Sequence, residues 1–295
     1  MNTLAPLHND VVMPFVFETL PIRGAIIQLQ QSWHRMLLGH NYDQPVLETL
    51  GHSAAASALI AQSLKFDGSI TLQITGNGPL AMLVMQCTSN LELRGMASAG
   101  ELDDDIAFSE LVRKARCAIT VDAGAMERPY QGIVEVSGNS LADSIEDYYE
   151  RSAQIPTHLQ LVSDRNCCGG ILLQQMPGER SPVADDWRRL GLLANTLRLD
   201  DVANGLAPSL LGRLFAEDDL RVFRPREAQF RCRCSRRRSE DVLKLLGEQD
   251  TRDLLAEQGK IEVTCEYCGR TRTFDSIDIS QLFTEPPAPA SDTLH

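Results

Sequence analysis

Two close cysteine pairs constrain this chain more than any other feature. Cys232-Arg233-Cys234 is followed, after thirty residues, by Cys265-Glu266-Tyr267-Cys268. Each pair can set two thiolates on one metal ion. The spacer is long enough to fold as a helical hairpin, over 239–246 and 251–258, that brings the pairs together. Four thiolates at tetrahedral distance make a closed zinc site. Gly269, directly after the second pair, suits a tight turn whose amides face sulfur. Four unrelated thiols are the plainer reading, but two close pairs within 37 residues are hard to obtain by chance. The expected ligands are therefore Cys232, Cys234, Cys265 and Cys268, holding one Zn2+ per chain.

Most four-cysteine zinc sites only hold a small module together. Two features here point to more. Cys-x-Cys is less usual than Cys-x-x-Cys in zinc ribbons, and it sits among Arg231, Arg233, Arg236, Arg237 and Arg238. Cationic neighbours stabilise thiolates and make them better targets for oxidants. In a small module the metal supplies folding free energy on the order of 10 kcal/mol. Oxidising the ligands to disulfide would expel the metal and unfold the module, so the chemistry becomes a conformational switch.

The remaining composition sets the context. The first twenty residues carry Asp10 and Glu18 and no basic run, unlike a signal peptide. The longest charge-free stretch, 68–91, is broken by Gly76, Gly78 and Pro79 and reads as strands and turns rather than a spanning helix. The expectation is a cytoplasmic chain with no membrane association, in which eight cysteines serve as metal ligands or redox groups rather than structural disulfides. Lys+Arg 28 against Asp+Glu 40 gives a net charge of −12, which argues against a surface coated for nucleic acid.

The pattern along the chain predicts an α+β protein. Residues 1–178 read as a mixed α/β N-terminal domain. Its strands are predicted over 23–30, 69–75, 80–87, 118–122, 130–136, 158–163 and 170–175, and its helices over 32–38, 44–64, 106–116 and 140–153. Residues 179–231 read as a helical linker, with helices over 187–199 and 209–215 and no strand between them. Residues 232–283 form the cysteine-bearing module, and 284–295 a Pro-rich disordered tail.

At this point the residues resemble the heat shock protein 33 family, the redox-regulated bacterial chaperones. The resemblance rests on FRCRCS (230–235) and VTCEYCG (263–269), and on RGAIIQL (23–29), LKFDGSITLQITGNGPL (64–80), YQGIV (130–134), SIEDYYERSAQIPT (144–157), GGILLQQMP (169–177) and TFDSIDISQLF (273–283). It spans about residues 22–283, in order. It implies a holdase rather than an enzyme, an inactive monomer when reduced and zinc-bound. Peroxide or hypochlorous acid would release zinc and form two disulfides, Cys232–Cys234 and Cys265–Cys268. The module and the linker before it would unfold, expose a surface for unfolding client proteins, and dimerise. The lack of a GxxxxGK[ST] match agrees with ATP independence.

Other features carry weaker signals. Cys87 and Cys117 sit in apolar strand contexts and are expected to be buried and inert, whereas Cys167-Cys168 precedes Gly169-Gly170 in what reads as an exposed turn. The leucines of the linker, with Trp187 and Phe215, offer an apolar surface that the switch would uncover. Eight arginines between 221 and 238 support an alternative, a zinc-ribbon nucleic-acid-binding protein, but no aromatic stacking array accompanies them. His8, His34, His40, His52, His158 and His295 are scattered, and none sits at zinc spacing with a cysteine.

Overall fold

The computed structural model describes residues 10–63, 67–103, 105–124, 129–136, 139–177 and 184–284. Strands β1 (Val11–Phe17) and β2 (Ile22–Leu29) lead into α1 (Gln31–Leu37) and the long α2 (Gln44–Ala61). A meander follows: β3 (Ser69–Thr75), β4 (Leu80–Thr88) and β5 (Glu92–Ala99). After the single turn of α3 (Phe108–Leu111) come β6 (Arg116–Asp122) and β7 (Tyr130–Glu135). Helix α4 (Leu141–Tyr148) begins at Ser140, whose hydroxyl accepts the Asp143 amide at 3.1 Å, and runs into a π-helical turn over Tyr149–Ala153. Strands β8 (Thr157–Ser163) and β9 (Cys168–Gln175) follow.

The apolar run RGAIIQL is explained by where β2 lies. Its Ala25, Ile27 and Leu29 face one core, while Ile22 and Ile26 face another. Strand β9 beside it is buried along its first seven residues for the same reason. The first core is built around α2, which packs on β2, β8 and β9 of one sheet and on β3, β4 and β5 of a second. Ala54, Ala55, Ala56, Ala58 and Ala61 keep the helix thin enough to lie between them.

The second core lies on the other face of the first sheet. It is covered by α5 (Ala184–Ala194), α6 (Leu199–Asn204) and α7 (Ala207–Leu214), which contribute Leu190, Val202, Leu210, Leu211 and the adjacent Phe215. Phe15, Phe17 and Phe215 stack with centroids 5.2–5.9 Å apart. Three short strands follow, β10 (Leu220–Val222), β11 (Arg226–Glu227) and β12 (Gln229–Phe230). The first sheet runs β10-β1-β2-β9-β8 with β11 also on β1, and the second runs β12-β5-β4-β3-β6-β7.

The structure differs from the sequence reading in several places. β1 was not expected, and its Pro14 masks it; Pro14 lies between the stretches of β1 that pair with β10 and with β11, where a missing N–H is tolerated. β5 was also missed. The helix expected over 106–116 shrinks to α3: Val112 leaves the helical conformation at φ −104° and ψ 27°, and Lys114 follows at a left-handed φ of +53°. The linker is not purely helical, since β10, β11 and β12 are two or three residues long and too short to carry a period-2 signal. The linker's first residues up to 183, and the tail from 285, lie outside the described residues.

The chain divides into two compact units, and the second begins at Cys232, with 38–40 assigned to it. This unit holds α8 (Arg236–Leu246), α9 (Glu248–Gln258), the hairpin β13 (Ile261–Thr264) and β14 (Thr271–Phe274), and α10 (Ser276–Thr284). Its core is Leu243, Ile261, Phe274, Ile279 and Leu282, with Leu254, Leu255, Val263 and Phe283 partly buried.

Candidate metal centre

Each cysteine pair is placed by local backbone chemistry. Cys232 and Cys234 lead into α8, which Ser235 caps by accepting the Arg238 amide at 3.2 Å. The spacer is the α8–α9 helical hairpin, as its spacing predicts, with Gly247 at the corner at φ +98°. Cys265 and Cys268 form the turn of the β13–β14 hairpin. The Cys265 carbonyl accepts the amides of Cys268 and Gly269 at 3.3 and 2.8 Å, and the Cys265 amide donates to Arg270 at 3.0 Å. Gly269 sits at φ +64°, a left-handed conformation that suits glycine.

These elements bring the four sulfurs to one point. Cys232 Sγ lies 3.6 Å from Cys265 Sγ, Cys234 Sγ lies 3.6 Å from Cys268 Sγ, and all four are within 4.8 Å of one another. Tetrahedral Zn–S bonds of about 2.3 Å place sulfurs about 3.8 Å apart, so the donors fit a four-thiolate site. Among the described residues no other group of His, Cys, Asp or Glu has this geometry.

The four thiols are electrostatically unequal. Burial pushes Cys232 up to about 12. Burial would also raise Cys234, but hydrogen bonds from Cys232, Arg272 and the other thiols outweigh it and bring it down to about 7. Burial raises Cys268 as well. Arg272 Nη1 lies 3.7 Å from Cys234 Sγ. Sequence reasoning missed this arginine because it comes from β14 rather than from the arginine cluster. Within that cluster, Arg236 stacks on Phe274 at 4.5 Å and pairs with Asp278 at 2.6 Å, so it braces the module. Arg231 pairs with Glu92 and Arg221 with Glu18.

The other cysteines are buried. Cys117 is pushed up to about 12 by burial, and Cys87 is raised further. The expectation of an exposed Cys167-Cys168 turn is corrected: both are within 1% of full burial, Cys168 as the first residue of β9. The turn lies one step earlier, where Asp164 Oδ1 accepts the amides of Asn166 and Cys167 at 2.8 Å each. Gly169 and Gly170 serve close packing instead, since a Cβ on either would lie 2.5 Å from a backbone oxygen of Ile27 or Gln160.

An α+β chain with two packed sheets and a small terminal unit that converges four thiols defines a two-unit protein with a candidate four-thiolate metal site. A sequence model described as Hsp33 protein matches residues 10–275. The chain is 40% identical over 291 residues to the 33 kDa chaperonin of Methylobacillus flagellatus, covering 97% of this chain and 99% of that one. It is 40% identical over 299 residues to that of Nitrosococcus oceani, covering all of both. The crystal structure of the 33 kDa chaperonin (heat shock protein 33 homolog) of Thermotoga maritima superposes with a TM-score of 0.77 at 21% identity, over 94% of this chain and 98% of that one. The chain belongs to the Hsp33 family and is a chaperone, which acts by binding unfolding client proteins. No described helix is long and apolar enough to cross a membrane.

Proposed function

We propose that this chain is a redox-regulated, ATP-independent holdase of the cytoplasm. Cys232, Cys234, Cys265 and Cys268 hold one Zn2+ in the reduced form, and the same thiols sense oxidant. The observation that carries this reading is the convergence of all four sulfurs within 4.8 Å in a unit whose buried core is five apolar side chains. So small a core leaves the unit dependent on its metal. The bound ion supplies cross-linking and keeps the thiolates deprotonated.

Oxidation proceeds by pairs. Two thiolates give up two electrons to one peroxide, which takes up two protons and leaves as two waters, while one S–S bond forms. Cys232–Cys234 and Cys265–Cys268 are the disulfides of this reading. They remove all four donors, so the second unit loses its main source of stability. One residue separates β12 from Cys232, so disorder there frays the preceding segment directly. Loss of α5, α6 and α7 from the first sheet would bare Phe15, Phe17, Ile26 and Leu173, an apolar surface suited to non-native chains. The reduced chain is a monomer and the oxidised, active form a dimer.

The test separates cysteine from arginine. Cys232→Ser loses metal stoichiometry and no longer gains client protection on peroxide treatment. Arg237→Gln with Arg238→Gln retains both. Loss of protection in the arginine variant, together with salt-sensitive RNA binding by the unaltered chain, would overturn this reading in favour of nucleic-acid binding.

A further inference from the structure

The segment just before the cysteine module is held as an added strand would be. Residues 219–231 form a strap along the edges of both sheets of the first unit. β10 and β11 run antiparallel to β1, and β12 runs parallel to β5. The amides of Phe223 and Ala228 donate to the carbonyls of Pro14 and Asp10 at 2.9 Å each. The Glu18 amide donates to Asp219 at 2.9 Å, and the amides of Gln229 and Arg231 donate to Leu91 and Leu93 at 3.0 and 2.9 Å.

Apolar side chains grip near the two ends of the strap, where Leu220 packs on the second core and Ala228 and Phe230 on the first. Arg221, Val222, Glu227 and Gln229 are exposed, and Ala228 is the one strap residue that is fully buried. The polar side-chain anchors are arginines: Arg221 on Glu18 at 3.2 Å, Arg226 on the Ser89 carbonyl and Arg231 on Glu92. Between those apolar ends, backbone and positive charge hold the strap, and neither demands a particular sequence. Pro14 faces the gap between β10 and β11 and offers its carbonyl but no N–H. A proline there blunts the edge against continuous sheet-to-sheet pairing and leaves it open to short strands.

We infer that the edges of β1 and β5 are a binding site for extended, arginine- or lysine-bearing segments of non-native polypeptide, joined by strand addition, which the strap fills in the folded chain. The polypeptide partner rests on the holdase reading above. The site itself does not depend on oxidation as the trigger. Glu18 and Glu92 supply the charge that favours basic segments, and the backbone ladder tolerates any side chains between them.

The test uses the full chain, reduced and zinc-loaded, with Phe223→Pro and Ala228→Pro together, which delete two strap amides. The probe is a labelled synthetic peptide copying residues 219–231, read by fluorescence anisotropy. It should bind this variant and not the unaltered reduced chain. Methylating the peptide amides at the positions of Phe223 and Ala228 should weaken binding at least about tenfold. Methylation at the positions of Val222 and Glu227, whose amides face away in the non-hydrogen-bonded pairs, should change it by less than about threefold. If the variant fails to fold, the oxidised unaltered chain is titrated with the same peptides. Equal binding of the two methylated peptides, or no binding to a chain whose strap amides exchange freely with deuterium, would overturn the proposal. Protected strap amides in the oxidised unaltered chain, beside binding by the reduced variant, would instead overturn the redox trigger and uphold the edge site.

Discussion

His158 is held on two sides by groups that favour its charged form. Its Nδ1 lies 3.2 Å from Glu146 of α4, and its Nε2 lies 3.0 Å from Asn195, just past α5. Burial works against the charge, but Glu146, Asn195 and the Gly191 backbone outweigh it and raise this histidine above its usual 6.5. A raised folded value means the contribution is complete below the unfolded value and fades as pH rises through the folded one. His158→Gln should therefore cost about 1 kcal/mol near pH 5.5 and almost nothing near pH 9. Urea unfolding at the two pH values checks this, and an equal cost at both contradicts it. Nothing local in the sequence marks His158, because its partners come from other elements.

The cysteines divide just as sharply by residue. With metal chelated under reducing conditions, Cys232, Cys234, Cys265 and Cys268 should react with a thiol reagent, while Cys87, Cys117, Cys167 and Cys168 wait for denaturant. Fast labelling of any of the second group, mapped by peptide mass, would contradict the burial described above. The convergence of the first group was legible because two close pairs across a hairpin-length spacer can meet at one point. The burial of Cys167 and Cys168 was not, because Gly169-Gly170 has the same letters whether it turns the chain or admits a neighbouring backbone.

At the scale of elements, periodicity found what repeats and missed what is short or two-sided. Helix α2 was legible from its apolar spacing. Its place between two sheets was not, though Gly51 marks it: a Cβ there would lie 2.6 Å from Ser163 Cβ. β1 and β5 were missed for their Pro14 and for Arg94-Gly95, and the strap for its two- and three-residue strands. Gly212 gives an element-scale test of release. It lies inside α7, and a Cβ there meets nothing within 4 Å. Gly212→Ala should stabilise α7 by up to about 1 kcal/mol and raise the temperature or oxidant dose needed for client protection. An unchanged activation threshold, with α7 shown to be stabilised by hydrogen exchange, would remove α7 from the switch.

At the scale of the molecule, a large first unit with two cores is joined to a second unit with one small core. In the proposed switch, that asymmetry would let oxidation unfold the second unit while the first stays folded. The family and the four thiols were both legible in the sequence, since each rests on residues fixed in spacing. The strap, the bracing of Arg236 by Phe274 and the role of Arg272 required the fold, because each joins residues far apart in the chain.

In the proposed switch, losing the metal and gaining client binding are one event. The direct measurement follows zinc release and suppression of client aggregation together, in the same sample, before and after peroxide at mildly elevated temperature. About one zinc should be released per chain, with protection rising in step with it. Protection that appears while zinc stays bound, or complete zinc release without protection, would contradict the switch.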